Sequence, residues 1–223
     1  MFKKAFTLAE ILITLAIIGV IAALTLQPLI EKQKKLDTVT KLKKAYTTIN
    51  EALRRSEADN GEYQFWESGY DLGPEEYLNK YWLPYFNVYK LCTSYSICGY
   101  SSSMPWTYMN GKAYTYGFSN SRRIPFITTD GILYQISVAV GDSDNNSVSQ
   151  TNINIDVNGS KGPNIVGKDY FVFIRTDTQG IMPSCYGCTE TTINSNCSTS
   201  GSGGYCAEKI RRAGWQIEDD YPW

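Results

Sequence analysis

A single carboxylate, Glu10, lies inside an apolar run at the start of the chain. The run extends from Phe6 to Leu26 and is interrupted by few other residues, namely Thr7, Thr14, Gly19 and Thr25. As a helix the run would be roughly 31 Å long, about the thickness of a bilayer's hydrocarbon core. An ionised carboxylate there is unfavourable by a few kcal/mol unless it has a partner. We therefore expect a cation to meet Glu10.

Six cysteines form a second set, and all of them lie outside the apolar run. They are Cys92, Cys98, Cys185, Cys188, Cys197 and Cys206. An even number of cysteines behind a membrane-targeting segment predicts disulfides in an oxidising compartment, although sequence alone does not choose among the pairings. The alternatives are a zinc site made by the last four, since Cys185 and Cys188 have the required spacing, and a redox-active pair.

Asp156, Asn158 and Asp169 form a third set. Asp156 and Asn158 project from the same face of a predicted strand, and Asp169 can return beside them. Carboxylate and amide oxygens, together with backbone carbonyls, suit calcium. The alternative is that Asn158-Gly159 and Pro163-Asn164 make turns, with side chains that cap backbone groups.

Composition excludes several classes of function. The chain has no histidine, so no mechanism can use imidazole as a base or as a metal ligand. Its formal net charge of −1 leaves no basic excess for nucleic acid, which is not expected as a partner. No acids are paired at a spacing that favours a carboxylate hydrolase. We predict that the protein is not an enzyme and that it has no cofactor apart from the possible calcium.

One long helix must carry Glu10. Beyond Pro28 the apolar residues are spaced three or four apart, which predicts an amphipathic helix, and they are Leu36, Val39, Leu42, Tyr46, Ile49 and Leu53. Asn60-Gly61 is a typical helix stop. We predict a helix from about Phe6 to about Ala58 that is bent or frayed at Pro28, because proline removes a backbone hydrogen bond.

The rest of the chain favours an α+β fold. An irregular connection runs from Gly61 to Arg123 with a short helix near Glu75–Lys80. Four strands follow, predicted at Ile124–Thr129, Ile132–Val140, Asn152–Val157 and Tyr170–Arg175, with a hairpin turn at Asp130-Gly131. The tail after Pro183 is predicted to be a cysteine-bearing loop region. The expected architecture is a long N-terminal helix packed on a small antiparallel sheet with disulfide-stapled C-terminal loops.

Aromatic residues are concentrated in the irregular connection. They include Trp66, Tyr81, Trp82, Tyr85, Tyr89 and Trp106. Such residues usually pack a helix against a sheet or make subunit contacts. The alternative is a sugar-binding platform, which would make the protein an adhesin.

The N-terminus resembles the prepilin leader of type IV pilins and of type II secretion pseudopilins. The residues that carry the resemblance are the basic pair Lys3-Lys4, the small residue Ala5, then Phe6, and Glu10 four residues later. The resemblance implies that a prepilin peptidase cuts between Ala5 and Phe6 and methylates the new amino group of Phe6. The family usually has glycine before the cut, where this chain has Ala5.

The resemblance also implies an organisation and a location. Residues 1–5 would be the leader, 6–30 the transmembrane and polymerisation helix, 31–60 its amphipathic continuation and 61–223 an extracytoplasmic head. The expected location is the bacterial inner membrane, with a single span, and then a pilus or pseudopilus. Expected partners are the prepilin peptidase, other pilin or pseudopilin subunits, an assembly platform protein and membrane lipid. In assembly, the amine of Phe6 would pair with Glu10 of a neighbouring subunit. The alternative is a membrane-anchored extracellular binding protein that does not polymerise.

Overall fold

A computed structural model describes residues 7–67, 69–115, 117–118, 123–137, 151–176 and 178–223. The chain divides into two compact units. The N-terminal unit ends at Asp37, and the C-terminal unit is Thr38–Trp223. The first helix begins in the N-terminal unit and ends in the C-terminal unit.

The first helix, α1, is Leu8–Asn60, and Pro28 lies inside it. Two threonine hydroxyls in its apolar part form hydrogen bonds within the helix. Thr14 donates to the Ile11 carbonyl and Thr25 to the Ile21 carbonyl, both at 2.9 Å. The helix stops where the sequence predicts, because Gly61 adopts a left-handed φ of 81°.

The part of α1 in the C-terminal unit has one buried face. Its residues repeat every three or four positions and are Val39, Leu42, Ala45, Ile49, Ala52, Leu53 and Ser56. Tyr46 is half-buried, with its ring centroid 5.1 Å from that of Trp215. The prediction for Leu36 is wrong: this side chain is 60% exposed, because it lies before the C-terminal unit begins.

Six strands among the described residues form one antiparallel sheet in the order β1-β2-β3-β4-β5-β6. Each strand pairs with the next along the chain, so the sheet is a meander. Their bounds are Val88–Leu91, Phe126–Thr128, Leu133–Ile136, Asn152–Asp156, Tyr170–Thr176 and Gly180–Pro183. The Asp130-Gly131 turn joins β2 to β3 as predicted, with Gly131 at φ 82°.

Several elements differ from the predicted ones. The strand predicted to end at Val140 ends at Ile136, and residues 138–140 lie outside the described residues. The edge strands β1 and β6 were not predicted. The tail contains two helices instead of loops alone, α4 (Glu190–Asn196) and α5 (Cys206–Arg212). Helix α2 is Gly69–Leu72, and α3, Pro74–Tyr81, confirms the short helix predicted near Glu75.

The sheet is covered on both faces. On one face Ile153, Ile155 and Phe173 pack in the same core as Leu42 and Ile49 of α1. On the other, Leu133 and Tyr170 pack against an aromatic layer, which we define as Tyr100, Trp106, Tyr114 and Phe118. The α+β prediction is therefore confirmed, with a second layer over the sheet that the sequence did not reveal.

Candidate functional site

The apolar part of α1 is exposed, apart from the half-buried Ala22. Leu8 is 76% exposed, Ile18 62%, Leu24 72% and Leu29 63%. By length and composition α1 is able to cross a membrane, with a mean hydropathy of 2.4 over its most apolar stretch. A contiguous apolar surface of this size requires a cover, either lipid or protein.

Glu10 forms a reciprocal capping box with Thr7 at the start of α1. Glu10 Oε2 accepts hydrogen bonds from the Thr7 backbone N–H at 2.8 Å and from its hydroxyl at 2.9 Å, and Thr7 Oγ1 accepts from the Glu10 N–H at 3.3 Å. This arrangement satisfies backbone donors that a helix N-terminus leaves unpaired.

The capping role is one that the sequence analysis missed. Its signal was present, since threonine followed three residues later by glutamate before an apolar run is the sequence signature of a capping box. The box uses Oε2 of Glu10, and Oε1 has no hydrogen bond to a described residue. Ala5 and Phe6 lie outside the described residues, so the predictions for them stay predictions.

The six cysteines pair with their nearest neighbours in sequence. The disulfides are Cys92–Cys98, Cys185–Cys188 and Cys197–Cys206. The prediction of disulfides is confirmed, and the zinc alternative is wrong because a tetrathiolate site needs four free thiolates.

Asp156 lies at the end of β4 and is completely buried. Its Oδ2 accepts hydrogen bonds from Trp106 Nε1 at 2.7 Å and from the Tyr100 hydroxyl at 3.1 Å. Its Oδ1 accepts from the Asn158 backbone N–H at 3.2 Å. The carboxylate thus attaches the aromatic layer to the sheet and fixes the turn that follows β4.

Asp169 fixes the same loop from its other end. Its Oδ1 accepts from the Ile165 N–H and its Oδ2 from the Asn164 N–H, both at 2.7 Å. The Asn158 amide also donates to Oδ2, at 3.3 Å. The structure therefore brings Asp156, Asn158 and Asp169 together as predicted.

Burial dominates the electrostatics of these two acids. It raises the pKa of Asp156 well above its ordinary value, and the nearby Asp169 raises it further, against the lowering effect of the Trp106, Asn158 and Tyr100 donors. Burial also raises the pKa of Asp169, although its backbone donors oppose this.

The hydrogen bonds bear on the calcium prediction. Both oxygens of each carboxylate accept from protein donors, as the turn alternative predicts. Beside them, Asn158 Oδ1 and Asn164 Oδ1 are buried acceptors without a hydrogen-bond partner among the described residues. The described residues contain no group of three or more acidic or cysteine side chains that could hold a metal ion, and calcium binding stays a prediction.

The proposed sugar platform is wrong, because its rings are largely internal. Trp82 and Trp106 are fully buried, and Tyr81 is 3% exposed. Trp66 stacks on Tyr81 with ring centroids 4.4 Å apart. Of this set, Tyr89 presents a largely exposed ring, at 68%. The packing interpretation is therefore confirmed.

A shallow depression of about 660 Å³ lies between α4 and the loop closed by Cys197–Cys206. Its lining is uncharged and rich in hydroxyl groups, and includes Thr191, Ser195, Ser202 and Tyr205. Asn196 holds its shape by donating to the Ser202 hydroxyl at 2.8 Å and accepting from the Tyr205 N–H at 2.9 Å.

Comparison with known proteins adds a family. The model of one protein family, described as "Family of unknown function (DUF6613)", matches residues 28–223. Neither the curated proteins nor the solved structures gave a match.

Proposed function

The chain belongs to DUF6613, a family of unknown function, and we propose that it is a membrane-anchored structural subunit that assembles into a type IV pilus or a type II secretion pseudopilus. The observation that carries the proposal is the apolar part of α1, whose large apolar side chains are exposed and which contains one carboxylate, Glu10. The exposed apolar side chains of such a helix must be shielded from water at both stages, by lipid before assembly and by neighbouring copies of α1 afterwards.

Helix packing in a filament core suits this surface. Aliphatic side chains of neighbouring helices pack by van der Waals contact without sequence-specific hydrogen bonds, so they set no unique axial register. A charge in that environment does set one, because it is stable only where it meets its partner. We assign this role to Glu10, with the amine of Phe6 on a neighbouring subunit as the partner after cleavage between Ala5 and Phe6.

The capping box is compatible with this pairing and lowers its cost. Two donors from Thr7 already satisfy Oε2 of Glu10 within the subunit, so the carboxylate enters the membrane partly compensated. Oε1 remains for an intermolecular partner. Thr7 then contributes to anchoring and helix start, and the charge of Glu10 contributes to assembly.

The disulfides support an extracytoplasmic location for the C-terminal unit, since such bonds persist in oxidising compartments. The proposed location is the bacterial inner membrane, with one span, followed by the filament. The proposed partners are the prepilin peptidase, other subunits and an assembly platform protein.

Matched variants separate the two roles of Glu10. Glu10→Gln keeps an acceptor for the Thr7 donors but removes the charge, whereas Thr7→Val removes the hydroxyl that caps the Glu10 N–H and keeps the charge. We expect Glu10→Gln to reduce incorporation into filaments by about tenfold or more. We expect Thr7→Val to cost about 1 kcal/mol of helix stability and to reduce incorporation much less. Intact-mass spectrometry of sheared filaments and of membranes measures both incorporation and processing.

The control is that both variants must reach the membrane with their three disulfides formed. Wild-type protein should begin at a methylated Phe6, and Ala5→Arg should block that cleavage. If Glu10→Gln enters filaments as well as wild type, or if Phe6 is never exposed as the new N-terminus, the subunit proposal is wrong.

The second candidate is a membrane-anchored extracellular binding protein that does not polymerise. The neutral, hydroxyl-lined depression beside α4 favours it, because such surfaces suit uncharged polyhydroxylated ligands. Glycan-array binding by the full-length chain that is lost in Thr191→Val/Ser195→Ala, with no filament in any host, would favour this function over assembly.

A further inference from the structure

The Cys185–Cys188 disulfide differs from the other two in its surroundings. Both of its residues are half-buried, and the two residues between them, Tyr186 and Gly187, are exposed. By contrast, the other four cysteines lie inside hydrophobic cores: Cys92, Cys98, Cys197 and Cys206 are each 5% exposed or less. An external thiol can therefore approach one disulfide without local unfolding.

Two arginines of α5 lie against this disulfide loop. Arg212 Nη2 donates to the Cys188 carbonyl at 2.7 Å. The guanidinium of Arg211 lies 5.2 Å from the centre of the Tyr186 ring.

Both arginines are held by one buried acid. Glu208 is fully buried and accepts from Arg211 at 2.7 and 2.9 Å and from Arg212 at 2.8 Å. Two guanidinium groups against a single carboxylate leave net positive charge beside the backbone and ring of the loop that the disulfide closes. Positive charge favours a thiolate over a thiol, and a stabilised thiolate is the better leaving group in disulfide exchange.

The backbone at the disulfide also favours opening. Cys185 has φ 69°, in the left-handed region that residues other than glycine rarely adopt. Residues held in this region often lie at functional sites.

We propose that Cys185–Cys188 is a thiol–disulfide exchange site that accepts electrons from an external dithiol. A thiolate of the dithiol attacks Sγ of Cys185, the Cys185–Cys188 bond breaks, and Cys188, whose carbonyl Arg212 contacts, leaves as a thiolate. The second thiol of the dithiol then attacks the dithiol's other sulfur, the one bonded to Cys185, and Cys185 is released as a thiolate. The products are two protein thiols and the oxidised, cyclic reagent, so the two electrons gained by the protein are those lost by the dithiol.

The test is graded reduction of the full-length chain in mild detergent with dithiothreitol, followed by alkylation and peptide mass spectrometry. We expect Cys185 and Cys188 to be alkylated at least about tenfold faster than the other four cysteines, because those require local opening. Arg212→Gln should slow this reaction several-fold. Lys209→Gln is the matched control on the same helix, since Lys209 bonds to Asn194 and Asp220 instead, and it should leave the rate unchanged.

Selective alkylation of Cys185 and Cys188 that slows in Arg212→Gln and not in Lys209→Gln supports the proposal. Simultaneous reduction of all three disulfides overturns it, as does earlier reduction of Cys197–Cys206. A rate that Arg212→Gln leaves unchanged overturns it too. Far-UV circular dichroism of each variant before reduction confirms that the fold is intact.

Discussion

Removing the three disulfides one at a time should cost different amounts of stability, and Cys185–Cys188 should matter least. The perturbation is a double alanine substitution, such as Cys197→Ala/Cys206→Ala. Its effect has two parts, the freedom that the unfolded chain gains and the packing that the folded chain loses.

The first part follows from the spacing of each pair. For separations of nine, six and three residues, the loop-entropy relation gives about 2.6, 2.2 and 1.6 kcal/mol. The second part follows from burial. Cys197 and Cys206 are 2% and 0% exposed, so the loss of each sulfur adds about 1 kcal/mol. The total is about 4 to 5 kcal/mol for Cys197–Cys206, about 4 kcal/mol for Cys92–Cys98, whose cysteines are also buried, and about 2 kcal/mol for the half-buried Cys185–Cys188.

The assay is urea unfolding of the full-length chain in detergent, followed by the fluorescence of the tryptophans, which lie in the C-terminal unit. Linear extrapolation gives the free energy of unfolding for each variant. The reasoning is refuted if Cys185→Ala/Cys188→Ala costs as much as Cys197→Ala/Cys206→Ala. Equal m-values across the series are the control for an unchanged unfolded state.

Three further predictions concern charge, metal and packing. Because burial raises the pKa of Asp156, its stabilising contribution is full below the unfolded pKa of about 3.9 and is lost as pH rises through the folded pKa. The thermal midpoint should therefore rise as the pH is lowered through the raised folded pKa towards the unfolded pKa, and Asp156→Asn should flatten this slope. For Asp130, burial raises the pKa, but the hydrogen bonds from Lys44 and Thr128 outweigh burial, so the pKa is lowered. The stabilising contribution of Asp130 is therefore present above the unfolded pKa of about 3.9 and is lost as pH falls through the folded pKa. Titration calorimetry of the full-length chain should give heat at about millimolar calcium that Asp169→Asn abolishes, and no heat there removes the calcium prediction. Leu42→Ala should cost about 2 to 5 kcal/mol of unfolding free energy, whereas Leu24→Ala, at an exposed position, should change it by less than about 0.5 kcal/mol.

Local signals made α1 and the central hairpin predictable. The apolar residues spaced three or four apart between Val39 and Leu53 form the buried face of α1. The helix ends at Asn60-Gly61, where Gly61 adopts a left-handed backbone conformation. The Asp130-Gly131 pair fixes the β2–β3 turn because glycine adopts the required φ without a steric cost. These features depend on neighbours within a few residues.

The edge strands gave no comparable signal. Strand β1 has four residues with exposed central positions, so it lacks the alternation that identifies a half-buried strand. Strand β6 begins at Gly180 and ends at Pro183, two residue types that are depleted in strands. Both strands are stabilised by backbone pairing with a neighbour that is distant or follows a turn, β1 with β2 and β6 with β5, and no local pattern records that pairing.

The second layer over the sheet also escaped prediction, for a related reason. Asn154 and Asp156 alternate with apolar residues along β4, a pattern typical of a solvent-facing side, yet both are fully buried. Their cover comes from the irregular connection, since Tyr100 and Trp106 lie 56 and 50 residues before the carboxylate that they contact. The sequence predicts that Asp156, Asn158 and Asp169 converge. It does not predict which donors occupy their oxygens.

Glu10 shows how a local and an assembly role can coexist in one side chain. A cap needs only an acceptor, so glutamine would serve at this position if capping were the sole requirement. Glutamine would also avoid the cost of a charge in hydrocarbon. The presence of glutamate therefore argues for a function that uses the charge, and the amine released at Phe6 by the proposed cleavage is the partner that this function would use. The comparison of Glu10→Gln with Thr7→Val tests this argument directly, because only the first variant removes the charge and leaves the cap.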